Sequence, residues 1–181
     1  MVTGKSWVLV PETVKFNLVG KLPEGVYARD LILTIIGTIG ANGCNYQVME
    51  FTGEGAKTLS ISERMVLCNM AVEAGAKTGI FEPDEKAIEY LEAHGRKPKA
   101  LFQSDPDAVY AREYTFDLSK IRPVVAKPDF VDNLVPAEEV RGVKIDEAFL
   151  GSCNNGRIED LRVGASICLL YTSDAADDLI G

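Results

Sequence analysis

Phe149-Leu150-Gly151-Ser152-Cys153-Asn154-Asn155-Gly156-Arg157-Ile158-Glu159-Asp160-Leu161-Arg162 puts one cysteine between two different hydrophobic patterns. The apolar approach Ala148-Phe149-Leu150 predicts a short buried strand, and Ile158, Leu161 and Ala165 recur at helical spacing beyond the turn residues. Cys153 therefore stands just ahead of a helix start. Unpaired backbone N–H groups and the positive end of the helix dipole favour an anion there, so a thiolate is stabilised as a nucleophile or metal ligand. Gly151, Ser152 and Gly156 are small enough to let a bulky inorganic group approach the backbone, and Asn154 and Asn155 can donate hydrogen bonds to it. On the residues alone, an ordinary cysteine in a strand-to-helix turn is the competing reading.

A second block has a comparable design. Ser60-Ile61-Ser62-Glu63 is a capping box, and the helix it opens continues through Ala76. Ile61, Met65, Cys68 and Val72 share a face that reads as a core stripe. Asn69 and Glu73 are four residues apart, so they project together, either as a solvated polar face or into one site.

The intervening chain alternates helices and short strands, which predicts an α/β fold. Residues 7–18 alternate apolar and polar around Pro11, and Leu22-Pro23-Glu24-Gly25 makes a turn. Asp30 caps a helix carrying Leu31, Ile32, Ile35, Ile36 and Ile39 that ends at Gly40. Strands are expected around Tyr46–Phe51 and Ile80–Phe81, with a helix from Pro83 to Gly95 whose end is capped by His94, the only histidine. Tyr114–Leu118 is strand-like, and Pro123, Pro128 and Pro136 keep the connection after it irregular.

Composition narrows the function classes. The 181 residues carry a net charge of −8 with no clustered Lys and Arg, which argues against a nucleic-acid surface. No apolar run reaches membrane-spanning length and no basic-then-apolar leader opens the chain, so a soluble, cytoplasmic protein is expected. Cysteines at 44, 68, 153 and 168 form no Cys-x-x-Cys pair, against both a zinc knot and a secreted disulfide framework.

The stretch Gly151-Ser152-Cys153-Asn154-Asn155-Gly156-Arg157 resembles the Gly-Ser-Cys-Thr-Asn-Gly-Arg motif of the aconitase superfamily, with Asn154 in place of threonine. Arg64-Met65 through Asn69-Met70, Glu73 and Gly75-Ala76 is similar to a segment of the isopropylmalate dehydratase and homoaconitase large subunits. The likeness also takes in Trp7–Thr13, Lys21–Asp30, Glu50–Gly53 and Phe81–Glu85, and stops near Ala165. It implies a layered α/β/α fold with a mixed sheet: an aconitase-type second domain over 1–110, the start of the next domain over 111–165, and a non-native tail over 166–181. By resemblance, Cys153 ligates a 4Fe–4S cluster with Asn155 beside it, and Glu73 and Asn69 are catalytic. The implied reaction is hydro-lyase chemistry on a malate-type substrate, as in leucine biosynthesis, or on homoaconitate in the alternative. The implied partner is a small subunit that reads the other end of the substrate and supplies a serine. The two remaining cluster cysteines fall downstream in that family, so an internal piece with no catalysis of its own is a third expectation.

Overall fold

The computed structural model describes residues 3–177, the last eight by backbone alone. Strands β1 (Thr13–Val19), β2 (Val48–Thr52), β3 (Thr78–Phe81) and β4 (Arg112–Asp117) form a sheet in the order β3-β2-β1-β4. All three pairings are parallel. The expected α/β class stands, but this sheet is parallel throughout rather than mixed. Antiparallel pairing is confined to a separate ribbon, β5 (Val124–Ala126) with β6 (Leu134–Pro136).

The alternation in β1 decides which side becomes the core. Val14, Phe16 and Leu18 point one way and are fully buried, while Lys15 and Asn17 point the other. Because parallel register pairs Phe16 with both Phe51 and Tyr114, and Phe51 with Phe81, four rings fall in one row across the sheet. Their neighbouring centroids are 5.4, 5.5 and 5.0 Å apart. Helices α1 (Ala28–Ile39) and α3 (Ile61–Met70), the latter preceded by the short α2 (Glu54–Thr58), contribute Leu31, Ile32, Ile35, Ile36, Val66, Leu67 and Met70 to the same core cluster as this row. The opposite face is polar: Lys15 pairs with Glu113 at 3.7 Å, and Glu50 accepts from the Ser104 and Tyr110 hydroxyls at 2.9 and 3.0 Å.

Two details of α1 differ from expectation. The helix starts at Ala28 with Tyr27 as its N-cap, and Asp30 sits inside the first turn, where Oδ2 accepts from the Tyr27 N–H at 2.9 Å. Its Oδ1 accepts from the Val124 N–H at 3.0 Å, which ties the ribbon to the helix start. Gly37 makes room for that ribbon, since a Cβ there would lie 2.5 Å from Leu134 Cδ1.

The first compact unit runs through Arg141, and the second starts at Gly142. A boundary at 110 would separate β4 from β1, its only partner in the sheet. The second unit is built around helix α5 (Ile158–Asp177). The strand expected at Ala148–Leu150 does not form, and Phe149 is 80% exposed. An apolar triplet becomes a strand only where a neighbouring strand takes its backbone hydrogen bonds, and among the described residues this one has none. Leu150 instead lies over α5, where a Cβ on Gly164 would come within 2.4 Å of its Cδ2. The expected tail at 166–181 falls partly on α5, and its residues 178–181 lie outside the described residues.

Phe16→Ala should remove about 4 kcal/mol of stability, because a buried ring leaves a cavity with aromatic neighbours on both sides. Phe149→Ala should change stability by less than about 0.5 kcal/mol. Urea denaturation of both variants measures the contrast.

Candidate functional site

Helix α3 carries the first group of expected site residues. Ser60 caps it as expected, with its Oγ accepting from the Glu63 N–H at 3.2 Å and Glu63 Oε2 accepting from the Ser60 N–H at 2.7 Å. The α-helix stops at Met70, earlier than expected. Residues Ala71–Ala74 tighten into a 3-10 turn, and Gly75 closes it with φ 78°. The buried face is Arg64, Val66, Leu67, Met70, Ala71 and Ala74, which differs from the expected stripe: Ile61, Met65 and Cys68 are half-buried and Val72 is 64% exposed. Asn69 and Glu73 are both exposed, as is Val72 between them. They stand near the sheet edge where strands begin, one loop before β3.

Arg64 is the residue that sequence reasoning missed. It is only 5% exposed, and Nη1 and Nη2 donate to the two carboxylate oxygens of Asp84 at 2.8 and 2.6 Å. Asp84 also caps helix α4 (Glu85–Ala93), accepting from the Ala87 N–H at 3.2 Å. The Arg64 hydrogen bonds hold the Asp84 carboxyl below its usual range. The signal was present: Arg64 precedes Leu67 and Ala71 by three and seven positions, the spacing of a buried face. His94 caps the other end of α4 as expected, its Nδ1 2.7 Å from the Tyr90 carbonyl.

Arg64 and Asp84 line a cavity of about 520 Å³ at the opposite sheet edge, beyond the ends of β2 and β3. Phe51, Ala56, Phe81 and Pro83 supply its apolar wall, and Lys57, Glu82 and Glu85 supply exposed charges.

Cys153 and Asn155 belong to the second unit. The Cys153 thiol is exposed, in a loop bent by Gly151 (φ 156°) and Ser152 (φ 77°). Gly156 is required here, because a Cβ would lie 2.8 Å from the Ser152 carbonyl oxygen. The helix start does not await an anion. Asp160 already accepts from the Arg157 N–H at 3.0 Å with one oxygen and from the Asn155 side-chain amide at 3.0 Å with the other. With α5 opening at Ile158, the positive end of its dipole is matched by Asp160 in its own first turn. Among the described residues, no group of three or more His, Cys, Asp or Glu is placed to hold a metal ion. Toward the cubane that the resemblance implies, the motif among the described residues offers one exposed thiol, Cys153. Cys44 is fully buried and burial raises its thiol pKa, while burial pushes Cys68 up to about 11; neither is suited to ligation.

A four-stranded parallel sheet flanked by helices, followed by a second unit in which a thiol loop precedes a helix, defines an α/β protein. The aconitase family model (aconitate hydratase) matches residues 1–141, and the chain belongs to that family. It is 50% identical, over 98% of its length, to the 3-isopropylmalate dehydratase large subunit 1 of Methanopyrus kandleri, of which it covers 42%. Two proteins of Methanothermobacter thermautotrophicus carry different specificities in their names. Identity is 52% to the one named "Probable 3-isopropylmalate dehydratase large subunit" and 48% to the one named "Probable methanogen homoaconitase large subunit". Each alignment takes in 91% of this chain and 39% of the relative, so the chain spans about two-fifths of the curated relatives it matches.

Brief iodoacetamide treatment at about pH 8 should alkylate Cys153 and Cys168 and spare Cys44 and Cys68 until the chain is unfolded, as peptide mass spectrometry would show. Asp84→Asn should cost about 3 kcal/mol at neutral pH by leaving Arg64 buried without its counter-charge. Since the folded Asp84 pKa is lowered, its stabilisation is present above the unfolded value of about 4 and is lost as pH falls through the folded one. Urea midpoints of wild type and Asp84→Asn should therefore converge in acid.

Proposed function

We propose that this chain is part of the large subunit of a 3-isopropylmalate dehydratase, a cytoplasmic hydro-lyase that interconverts 2- and 3-isopropylmalate in leucine biosynthesis. The observation that carries the reading is the identity of 50–52% to large subunits of that name across more than nine-tenths of the chain. The exposure of Asn69 and Glu73 on α3 and its closing turn, and the exposed thiol of the Cys153 loop, support it.

In this reading Cys153 contributes one thiolate to a 4Fe–4S cluster whose other cysteines lie outside the chain, because one thiolate cannot hold a cubane. The cluster, when bound, supplies Lewis-acid chemistry toward the substrate hydroxyl and carboxylate. Glu73 holds or moves a proton at that hydroxyl, and its exposure leaves the carboxylate able to reach a substrate seated by other parts of the protein. Asn69 orients the same groups. Asn155 keeps its amide on Asp160, which shapes the loop that aims Cys153. The Asn69–Glu73 edge belongs to the first compact unit and the thiol to the second. A small-subunit partner reads the remaining end of the malate-type substrate.

Homoaconitase is the second reading, favoured by the 48% identity to a protein of that name. The isolated chain is then a structural piece in either case. Anaerobic reconstitution of the 181 residues with iron and sulfide should give no stoichiometric cluster. In the complete large subunit with its small subunit, Cys153→Ser should lose cluster iron and sulfide together with turnover. Glu73→Gln should keep the cluster and lower kcat by about 100-fold or more. Full cluster occupancy with normal turnover in Cys153→Ser would overturn the assignment, and comparing 3-isopropylmalate with homoaconitate as substrate separates the two readings.

A further inference from the structure

We propose that Arg112 is a positioning residue for Glu73, acting through the turn Gly43–Gln47; the inference rests on the reading above that has Glu73 move a proton. Glu73 lies beyond the last α-helical residue, in the 3-10 turn Ala71–Ala74, and such turns have poorer hydrogen-bond geometry than an α-helix. It is exposed, and among the described residues no hydrogen bond or ion pair holds its carboxylate. The backbone of the turn therefore decides where that carboxylate goes.

Backbone hydrogen bonds fasten the residues after Glu73 to the Gly43–Gln47 turn. The Cys44 N–H donates to the Ala74 carbonyl at 2.9 Å and the Tyr46 N–H to the Gly75 carbonyl at 3.0 Å, while the Lys77 N–H donates back to the Gln47 carbonyl at 2.8 Å. The fit is close, since a Cβ on Gly75 would lie 3.1 Å from Asn45 Cα. Tyr46 is held at φ 59°, a left-handed conformation that a bulky residue keeps only where its surroundings over-determine it. The Lys77 ammonium stands over its ring, 4.6 Å from the centroid, so ring and N–H grip the same segment. Arg112, the first residue of β4, supplies the outer constraint. Its Nη2 donates to the Gly43 carbonyl and, at 2.6 Å, to Gln47 Oε1, so one nitrogen ties the two ends of the turn. Glu12 orients Gln47 for this contact, its Oε2 accepting from Gln47 Nε2 at 3.2 Å. A planar guanidinium fixes such a pair of acceptors better than the mobile ammonium of a lysine. Arg112 is exposed and pairs with no carboxylate among the described residues, so its hydrogen bonds shape the turn without carrying the fold. A misplacement of about 1 Å at a reacting group can cost about 100-fold in rate, so a loosened turn should be felt in turnover.

Arg112→Ala tests the link in two settings. In the 181-residue chain, amide hydrogen exchange at Cys44 and Tyr46 should quicken about tenfold, and the three-bond couplings of Glu73 should move toward rotamer-averaged values, with the urea midpoint nearly unchanged. Exchange and couplings equal to those of wild type would overturn the proposal. In the complete large subunit with its small subunit, Arg112→Ala should lower kcat about tenfold and leave KM within about twofold, the mark of a group that acts in the transition state. Arg112→Lys should recover part of that loss, and Glu113→Ala, an exposed change on the same strand, should alter neither constant. A wild-type kcat in Arg112→Ala, or an equal loss in Glu113→Ala, would overturn the proposal as well. Absence of turnover in the wild-type complex, with 3-isopropylmalate and homoaconitate alike, would instead sink the dehydratase reading, and the exchange and coupling results would still decide whether Arg112 places Glu73.

Discussion

The row of rings Tyr114-Phe16-Phe51-Phe81 is the constraint on which the rest of the first unit depends. In a parallel sheet, a slip of one residue in any strand would turn its ring to the opposite face and bring the strand's polar residues into the core. The row therefore sets three registers at once. It also decides which side of the sheet the connecting helices cover, since α1 and α3 carry the apolar residues that share its core. Everything positioned by α3, including Asn69, Glu73 and Arg64, inherits its place from that choice.

Much of this layer was legible in the sequence because its elements are bounded by residues with one local meaning. The Ser60 capping box, Gly40 beyond α1 and Asp84 before α4 each mark a helix end where backbone groups have no other helical partner. The orientation of α3 was less legible. Assigning Ile61, Met65, Cys68 and Val72 to the core rested on hydrophobicity alone, but the buried face includes Arg64, whose charge is matched twenty residues away by Asp84. A periodicity argument that treats arginine as a surface residue must rotate the helix away from its true face. The true orientation leaves half-buried or exposed apolar side chains beside Asn69 and Glu73, as expected of a face that other parts of a larger protein cover.

The thiol stretch was legible as chemistry more than as structure. Gly151, Ser152 and Gly156 do shape a loop in which the thiol is exposed and the backbone closely folded. The approach segment could not be read, because a strand is a property of a pair. Phe149 and Leu150 have the composition of a buried strand but no neighbour here to complete it. The same holds for the proposed cluster, in which one ligand is local and the others are not. A chain covering two-fifths of its relatives shows the intrinsic shape of such a loop without the partners that give it a function.

Helix α3 joins two edges of the sheet that have different properties. Open parallel sheets bind ligands beyond the carboxyl ends of their strands, where helix starts and loop backbones converge. The cavity lined by Arg64 and Thr52 lies at that edge, whereas Asn69 and Glu73 stand at the other. A side chain near the start of β3 needs a second surface opposite it to form an enclosed site, and in the dehydratase reading further chain is the natural source of that surface. The carboxyl edge lines an open cavity with residues of the first unit. The two edges therefore differ in kind: one carries a cavity lined by the first unit's own residues, and the other presents exposed polar side chains at a helix end.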